Sequence, residues 1–363
     1  MMETNGKSSN AGSYTEESAA AAVASMRVGW NLGNTYECHG KWFDNVRTET
    51  SWGNPITSRD LIRYLAKSGF SAVRVPVTWY NHVDSDGTVS DEWLRRVRRV
   101  VRMVLAEGMY CIIDSHHDVG AMDNYGGSLF RAERANYEEK KALAADRFRQ
   151  IAEYFREESE RLIFEGFNEV LDDEFEWTMP SADEMDVVND WNQLFVEAVR
   201  ATGGNNATRN LLLNPYAAGS SEYILSGFRV PKDTTEGHLI LGLHTYAPDG
   251  FTSRAATWAR QTDEFDCLGE EEVERVFLTI GRAKEEIGLP AIVSEFGAMN
   301  RNNPIDRARH AEVVAAHSHA LGIPCFYWDD GSQYAIIDRN AVKALDPLLL
   351  SAMMRAGGAE PKL

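Results

Sequence analysis

The chain has few cysteines for its length. Four stand among 363 residues, and they are widely spaced, without a Cys-x-x-Cys pair. This spacing indicates neither a disulfide-dense scaffold nor a paired-cysteine zinc site. We expect free thiols, with Cys111 and Cys325 buried in apolar strand-like runs, while one disulfide among the others stays open.

Long apolar runs and an excess of basic residues are also missing. No run approaches the roughly 18 apolar residues that a bilayer-spanning helix needs, so the composition excludes a membrane protein. The 37 basic and 55 acidic residues give a formal net charge of -18. This charge repels phosphate backbones and anionic lipids, so we expect no nucleic-acid partner and no membrane partner.

The N-terminus lacks the pattern of a signal peptide. In METNGKSSNAGSYTEESAAAAVAS no charged start is followed by an apolar segment. The protein is then either cytoplasmic or the mature part of a secreted protein whose leader was removed, and we expect the second. Residues 1 to about 13 have the composition of a disordered segment. We therefore predict a partly disordered N-terminal extension over 1–25 and one folded domain over 26–363.

Eight short apolar runs alternate with helical patterns along the chain. Their continuous apolarity is typical of parallel strands that are buried on both faces. Eight alternations predict a single-domain α/β fold of the (β/α)8 TIM barrel type. A doubly wound open sheet is the alternative, but it would normally carry fewer strands, and no G-x-G-x-x-G follows the first run. In chain order the runs are RVGWNLGN, SAVRVPVTW, YCIIDSHH, RLIFEGFNE, NLLLNPYAAG, LILGLHTY, PAIVSEFG and PCFYWDD.

Two of the helical patterns carry clear start and stop signals. TSRDLIRYLAKSG opens with the capping-box pattern Thr57-x-x-Asp60 and ends at Gly69. SDEWLRRVRRVVRMVLAEG opens at Ser90 and ends at Gly108.

Polar side chains gather at the predicted strand ends. In a TIM barrel these ends converge on one face, which holds the active site. Taken singly, most have an ordinary structural interpretation, such as an ion pair for Arg74 or core packing for Trp328. Their convergence on one rim favours a functional site. The set comprises Asn31, Asn34, Arg74, Asp114, His116, His117, Asn168, Glu169, Asn214, His244, Tyr246, Glu295 and Trp328.

Two glutamates of this set suggest the chemistry. Glu169 and Glu295 would flank one pocket, and paired carboxyl groups of opposite protonation state hydrolyse acetals as general acid and nucleophile. Asn168 supplies an amide that can bind a sugar 2-hydroxyl. Arg74 and Tyr246 would keep Glu295 ionised, because a cation and a hydroxyl donor both favour a charged carboxylate. Glu169 must then stay protonated.

A metal-dependent barrel hydrolase is the competing interpretation. Asp114-x-His116-His117-Asp118 superficially resembles a ligand cluster, but such enzymes carry His-x-His on the first strand, and VGWNLGN has no histidine. His317-x-His319 lies in a predicted helix, where residues two apart point away from each other. We expect no metal and no cofactor.

Eight motifs occur in the order that is usual for glycoside hydrolase family 5, the cellulase family. They are GWNLGNT, ETSWGNP, VRVPVTW, IIDSHHD, FEGFNE, HTY, SEFG and YWDD. The chain resembles this family over nearly the whole barrel, and GWNLGNT followed by SWGNP is most similar to the subfamily 4 endoglucanases. The resemblance implies that Glu169 is the acid/base and Glu295 the nucleophile. It assigns supporting positions to Arg74, His116, Asn168, His244, Tyr246 and Trp328.

Further positions follow from the resemblance alone. Asn34, Glu37 and His117 fall where relatives bind the sugar next to the cleaved one, and Trp258 falls where a stacking platform is expected. A non-proline cis peptide is expected after Trp328. Subfamily members often carry an aspartate where Glu37 stands, and the insert YECHGKWFDNVRTE has no counterpart that we can place.

The resemblance implies a retaining endo-β-1,4-glucanase, a cellulase that cleaves internal bonds of cellulose-like polysaccharides. Mixed-linkage β-glucan and xyloglucan are further candidate substrates. A mannanase or another retaining β-glycanase would share the catalytic residues, so it stays an alternative. A catalytically inactive sugar-binding barrel is disfavoured because both glutamates are present. We expect a monomer whose partner is the β-glucan polysaccharide.

Overall fold

The computed structural model describes residues 14–40, 48–119, 129–256 and 259–360. Eight parallel strands form a closed barrel in chain order, and the last strand pairs back with the first. This arrangement confirms the predicted (β/α)8 barrel and excludes the open sheet. The strands are β1 (Val28–Leu32), β2 (Ala72–Val75), β3 (Tyr110–Ser115), β4 (Leu162–Phe167), β5 (Leu211–Leu213), β6 (Leu239–His244), β7 (Ala291–Phe296) and β8 (Cys325–Asp329).

Helices connect the strands, as parallel neighbours require. They are α1 (Ala19–Ser25), α2 (Arg59–Lys67), α3 (Asp91–Ala106), α4 (Arg134–Phe155), α5 (Ala182–Arg200), α6 (Glu222–Ser226), α7 (Asp249–Thr252), α8 (Cys267–Ile287), α9 (Pro304–Ala320) and α10 (Pro347–Ala356). Within the ranges given above, no helix is both long and apolar enough to cross a bilayer. After β8 the chain forms a hairpin of β9 (Ile337–Asp338) and β10 (Lys343–Ala344). Strands of two residues carry no periodic signal, so the sequence did not predict this hairpin.

The predicted helix boundaries are confirmed for α3 and shifted by one residue for α2. Ser90 caps α3 by accepting from the backbone N–H of Trp93, and Gly108 has the left-handed φ of +77° that ends such a helix. The predicted cap Thr57 is wrong for α2. Ser58 has the extended backbone of a cap residue, and its hydroxyl accepts from the N–H of Leu61 at 3.1 Å.

Helix α1 seals the amino-terminal end of the barrel. Its apolar residues and Met26 form one cluster with barrel residues near the amino ends of the strands, among them Ala72, Tyr110, Ile163 and Phe326. Ser18 caps the helix, and the N–H of Ala19 donates to the carbonyl of Gly237. The described part of the N-terminal extension thus packs on the barrel. The boundary at residue 25 stays a prediction, and residues 1–13 lie outside the described ranges.

The four cysteines are free thiols, as predicted. Cys38, Cys111 and Cys325 are buried, and Cys267 is exposed at the start of α8. Burial raises the pKa of the Cys111 and Cys325 thiols above the ordinary value. These two side chains therefore pack as small apolar groups, as expected inside β3 and β8.

The seal at the barrel end makes a stability prediction. Ala22 is fully buried against the barrel, whereas Ala24 is exposed on the same helix. Ala22→Glu places a charge among apolar side chains and should lower the free energy of unfolding by about 3 kcal/mol. Chemical denaturation measures this loss. Ala24→Glu is the matched control and should change stability by less than about 0.5 kcal/mol; equal losses would mean that α1 does not seal the barrel.

Candidate active site

A fully buried arginine organises the carboxyl ends of the strands. Arg74 of β2 donates from Nε to Glu165 Oε2 at 2.6 Å and from Nη1 to Glu295 Oε1 at 2.6 Å. Its Nη2 donates to Asp114 Oδ2 at 2.8 Å and to Asn168 Oδ1 at 2.7 Å. One planar guanidinium therefore fixes groups from β3, β4 and β7 relative to one another.

The carboxylates also secure the charge of this arginine. Burial alone would lower the pKa of Arg74, but Glu165, Asp114 and Glu295 outweigh it, so the pKa lies well above the ordinary value. Burial raises the pKa of Asp114 to about 6 against the opposing effect of Arg74. The guanidinium is thus a permanent cation, and it offsets the desolvation cost of burying these acidic side chains in the interior.

Glu165 was missed as a site residue by the sequence analysis. It lies inside β4, is 2 % exposed, and binds Arg74 through both oxygens, while its Oε1 also accepts from Asn214 at 2.7 Å. An acidic residue inside an apolar strand is itself a signal, because such a group needs a buried partner. Arg74, a basic residue inside another apolar strand, could have been predicted as that partner.

The two predicted catalytic glutamates lie close together at the top of the barrel. His244 Nδ1 is 2.7 Å from Glu169 Oε1 and 3.8 Å from Glu295 Oε2. One donor atom from each of these three residues lies within 4.8 Å of the others. The Tyr246 hydroxyl donates to Glu295 Oε2 at 2.8 Å. The strand ends therefore bring both glutamates together with the predicted supporting residues His244 and Tyr246.

Unequal surroundings separate the proton affinities of the two glutamates. Burial raises the pKa of Glu169 to about 7, with Arg74 opposing and with Glu165 and Asp114 adding to the rise. Burial also raises the pKa of Glu295, but His244, Arg74 and the Tyr246 hydroxyl all act against it. Arg74 and Tyr246 donate directly to Glu295 and favour its ionised form, so protonation is favoured on Glu169.

Asn168 and Trp328 complete the predicted set around the carboxyl groups. Since Arg74 occupies Oδ1 of Asn168, the Nδ2 donor is the group available to a sugar hydroxyl. Trp328 is partly exposed, and its ring lies parallel to that of His116 with 5.7 Å between ring centroids. The Nδ1 atom of His116 is 2.7 Å from Asp114 Oδ2, which fixes the imidazole plane. The Trp328 indole, held by this stacking, therefore forms an aromatic wall of the site.

The positions predicted from the resemblance alone have mixed outcomes. Asn34 is partly exposed, whereas Glu37 is fully buried and accepts from the backbone N–H groups of Asn34 and Thr35. Burial raises the pKa of Glu37 to about 8. Asn34 is thus the member of this pair that can touch a ligand. His117 is partly exposed, 4.7 Å from the His116 ring, and Trp258 lies outside the described residues.

The expected cis peptide after Trp328 is wrong. Among the described residues the cis bond is Ala247–Pro248. Strand β8 continues through Asp329, which pairs with Leu32 of β1. The chain is therefore extended through this peptide bond.

The trio Glu169, His244 and Glu295 has metal-ligand spacing, but its surroundings suit a metal ion poorly. The Arg74 guanidinium lies 2.6 Å from Glu295, so a second cation would be repelled. His244 Nε2 is buried and has no hydrogen-bond partner among the residues that the structure describes, whereas a metal-bound histidine normally donates its second N–H. In the sequence-predicted cluster, Asp118 is bound instead to Arg147 at 3.0 Å. The donor set fits proton transfer better than metal binding.

Carboxyl groups this close, one protonated and one ionised, can cleave a glycosidic bond. The protonated group donates its proton to the leaving oxygen, while the ionised group attacks the anomeric carbon from the opposite face of the sugar. The fold and the site together define a glycoside hydrolase.

Comparison with known proteins specifies the family. The family model described as cellulase, glycosyl hydrolase family 5, matches residues 36–333. Endoglucanase B of Neocallimastix patriciarum is 32% identical over 94% of the chain and 72% of its own length. Endoglucanase A of Ruminococcus albus is 34% identical over 91% of the chain and 90% of its own length. The chain belongs to glycosyl hydrolase family 5 and is an endoglucanase-type glycoside hydrolase, which confirms the prediction from its motifs.

Solved structures are similar over the whole barrel. A family 5 enzyme of Prevotella bryantii B14, a mutant in complex with a xyloglucan tetradecasaccharide, superimposes with a TM-score of 0.86 at 32% identity, over 95% of this chain and 100% of that one. A GH5-4 broad specificity endoglucanase from Ruminococcus champanellensis with bound cellotriose has a TM-score of 0.87 at 31% identity, over 94% and 99%. The similarity to subfamily 4, predicted from GWNLGNT and SWGNP, is confirmed.

The raised pKa of Glu169 predicts a pH dependence. The acid must be protonated, so kcat/KM on a polysaccharide should stay high up to the pKa of about 7 and then fall as pH rises through it. An aryl cellobioside with a good leaving group needs little protonation, and its kcat/KM should show a much weaker alkaline limb. Initial rates between pH 4 and pH 9 on both substrates test this. A limb near the ordinary carboxyl value, or equal limbs on both substrates, would contradict the assignment.

Proposed function

We propose that the chain is a retaining endo-β-1,4-glucanase in which Glu169 is the acid/base and Glu295 the nucleophile. The observation that carries this proposal is the difference between the two carboxyl groups. Arg74 and Tyr246 donate directly to Glu295, while Glu169 faces a buried imidazole nitrogen. Their spacing, within 4.8 Å, matches the roughly 5 Å of retaining enzymes and is too small for a water molecule between sugar and base.

The first chemical step uses both groups at once. Glu295 Oε attacks the anomeric carbon and forms a glycosyl ester, while the bond to the leaving oxygen breaks and that oxygen takes the proton of Glu169. In the second step Glu169, now ionised, removes a proton from water. The water oxygen attacks the anomeric carbon as this proton leaves, the ester bond to Glu295 breaks to release a carboxylate, and Glu169 is again protonated. Two inversions at one carbon retain its configuration.

The surrounding groups act mainly on the transition state. The Asn168 amide donates to the sugar 2-hydroxyl, an interaction that strengthens as the ring gains oxocarbenium character. Arg74 holds both Asn168 and Glu295, so the donor and the nucleophile keep a fixed separation. Trp328 offers its indole face to the apolar face of the sugar.

Relatives support a β-1,4-glucan as the substrate class. The structures similar to this chain include an enzyme with a xyloglucan oligosaccharide, one with cellotriose and a lichenase mutant with cellotetraose. A polymer of this kind cannot enter a cell intact, so the proposal includes a secreted enzyme that acts as a monomer on polysaccharide. A mannanase of the same family is the second candidate, since hexose preference depends on groups that contact the 2- and 6-positions.

A panel of polysaccharides tests the substrate class. We expect reducing ends to appear with carboxymethyl cellulose, barley β-glucan and xyloglucan, together with a rapid fall in viscosity because internal bonds are cut. Glucomannan serves to separate glucan from mannan cleavage when its products are sequenced. Faster release of reducing ends from glucomannan than from every glucan, with cleavage only at mannosidic bonds, would contradict the glucanase assignment and favour the mannanase.

Azide rescue tests the two glutamate roles. Glu169→Ala should lower the rate of polysaccharide hydrolysis by several orders of magnitude, because the leaving alkoxide needs a proton. With an activated aryl cellobioside, the rate of the first step should fall far less. The glycosyl-enzyme should then accumulate, and added azide, which needs no general base, should release it as a β-glycosyl azide. Mass spectrometry of the intermediate and proton NMR of the azide product measure both effects.

Glu295→Ala is the matched partner of that experiment. Without a nucleophile no glycosyl-enzyme can form, so this variant should be inactive on both substrates, and any azide product should be the α-anomer. A β-azide from Glu295→Ala, and none from Glu169→Ala, would reverse the assignment.

A further inference from the structure

The loop after β1 presents Asn34 in an unfavourable backbone conformation. Asn34 has φ +53°, in the left-handed region that few non-glycine residues adopt. The backbone N–H groups of Asn34 and Thr35 donate to the buried carboxyl group of Glu37. Such a conformation persists only where the surrounding structure determines it, so the contacts on its other side matter.

Arg339 joins this loop to the end of β8. Its Nη1 donates to the carbonyl of Gly33 and to Oγ1 of Thr35, both at 2.9 Å. Its Nη2 donates to the main-chain carbonyl of Asp329 and, at 3.2 Å, to Asp329 Oδ1. One guanidinium therefore bridges the loop that carries Asn34 and the residue that follows Trp328.

Asn54 makes a second bridge between the same two segments. Its Nδ2 lies 2.8 Å from the carbonyl of Asn34, 3.0 Å from that of Asp330 and 3.3 Å from that of Gly33. On the other side, Gly331 has φ +71°, and a Cβ there would overlap the side-chain Oδ1 of Asn54. The loop after β8 is thus shaped around the Asn54 amide.

The two bridged segments meet at the aromatic wall itself. A Cβ added to Gly33 would lie 2.8 Å from the Asp329 carbonyl and 3.0 Å from Cζ2 of Trp328. Gly33 therefore packs too closely against these two residues for a side chain to fit at this position. Any shift of the loop therefore changes the space between Asn34 and Trp328.

We propose that Arg339 and Asn54 are positioning residues that set the separation of Asn34 from Trp328, and thereby shape one sugar-binding wall of the groove. The bonds of both residues given above go to loop carbonyls, Thr35 and Asp329, not to Glu169 or Glu295. Their effect falls on sugar binding and leaves the proton affinities of the catalytic pair unchanged. This inference rests on the proposed function, because it requires a β-glucan in the groove.

Arg339→Lys tests the bridge. Lysine keeps the charge beside Asp329 but lacks the fork that reaches both segments. Arg209→Lys is the matched control. Arg209 is also buried, but it lies at the amino-terminal end of the barrel, where it donates to the carbonyls of Glu158, Ser159 and Leu162. Both variants should lower Tm.

Steady-state kinetics on aryl cello-oligosaccharides, well below either Tm, separate the two positions. We expect Arg339→Lys to raise KM about tenfold with both limbs of the pH profile in place, and Arg209→Lys to leave KM within a factor of two. Asn54→Ala should act in the same direction as Arg339→Lys, and it provides the test if the lysine variant does not fold.

Two results would overturn the inference. Equal KM values for the variants at 339, 54 and 209 would mean that these residues contribute only to the stability of the fold. A displaced alkaline limb would mean that they act on the catalytic carboxyl groups. The wild-type enzyme reports separately on the proposed function, since lack of turnover on cello-oligosaccharides contradicts that function alone. The variants are then compared on the polysaccharide of the panel that the wild type cleaves.

Discussion

The contact of one buried guanidinium with three carboxylates is the constraint on which the site depends. Arg74 is fully buried, and it holds Glu165, Asp114 and Glu295 at distances of 2.6 to 2.8 Å. An unpaired charge at such a depth would cost several kcal/mol, and so would any of the three acids without its partner. The network can therefore exist only as a whole, and the strands that carry it must close into one barrel. Loss of Arg74 would leave several buried acids without compensation, which is why a single cation controls both the geometry and the charge of the site.

The barrel interior has two unlike halves. Near the amino ends of the strands the interior is apolar and is closed by α1, whereas the carboxyl ends hold the Arg74 network and the proposed catalytic pair. Apolar packing at one end supplies stability without any polar group that must be satisfied. At the carboxyl ends of the strands, hydrogen-bonded charged groups replace apolar packing, and their positions are fixed before substrate binds. Preorganisation of this kind is what electrostatic stabilisation of a transition state requires.

Two chemically identical side chains acquire different proton affinities from their neighbours. Glu295 is buried and Glu169 is partly exposed, and desolvation raises the pKa of each. Direct donors reach Glu295, so its charge is stabilised, and the proton is left to Glu169. A further layer of contacts holds the loops rather than the acids. Glu37, Asn54 and Arg339 bind the backbone around Asn34, which keeps an unfavourable φ in place at the edge of the groove.

The sequence by itself determined the strand count, the barrel, the family and the place of the two candidate glutamates at the strand ends, because these depend on patterns that are local in the chain. A buried parallel strand is a short apolar run, and a polar residue at its end lies on the catalytic face whatever its partners are. The tertiary structure alone decided the partners. Arg74 and Glu295 are 221 positions apart, and Arg339 lies 306 positions from Gly33, so only closure of the barrel brings them together. The same reason accounts for the full burial of Glu37, the seal formed by α1 and the contact of Glu165 with Arg74. Each of these three features depends on which distant segment of the chain packs beside it, and a local sequence pattern does not contain that information.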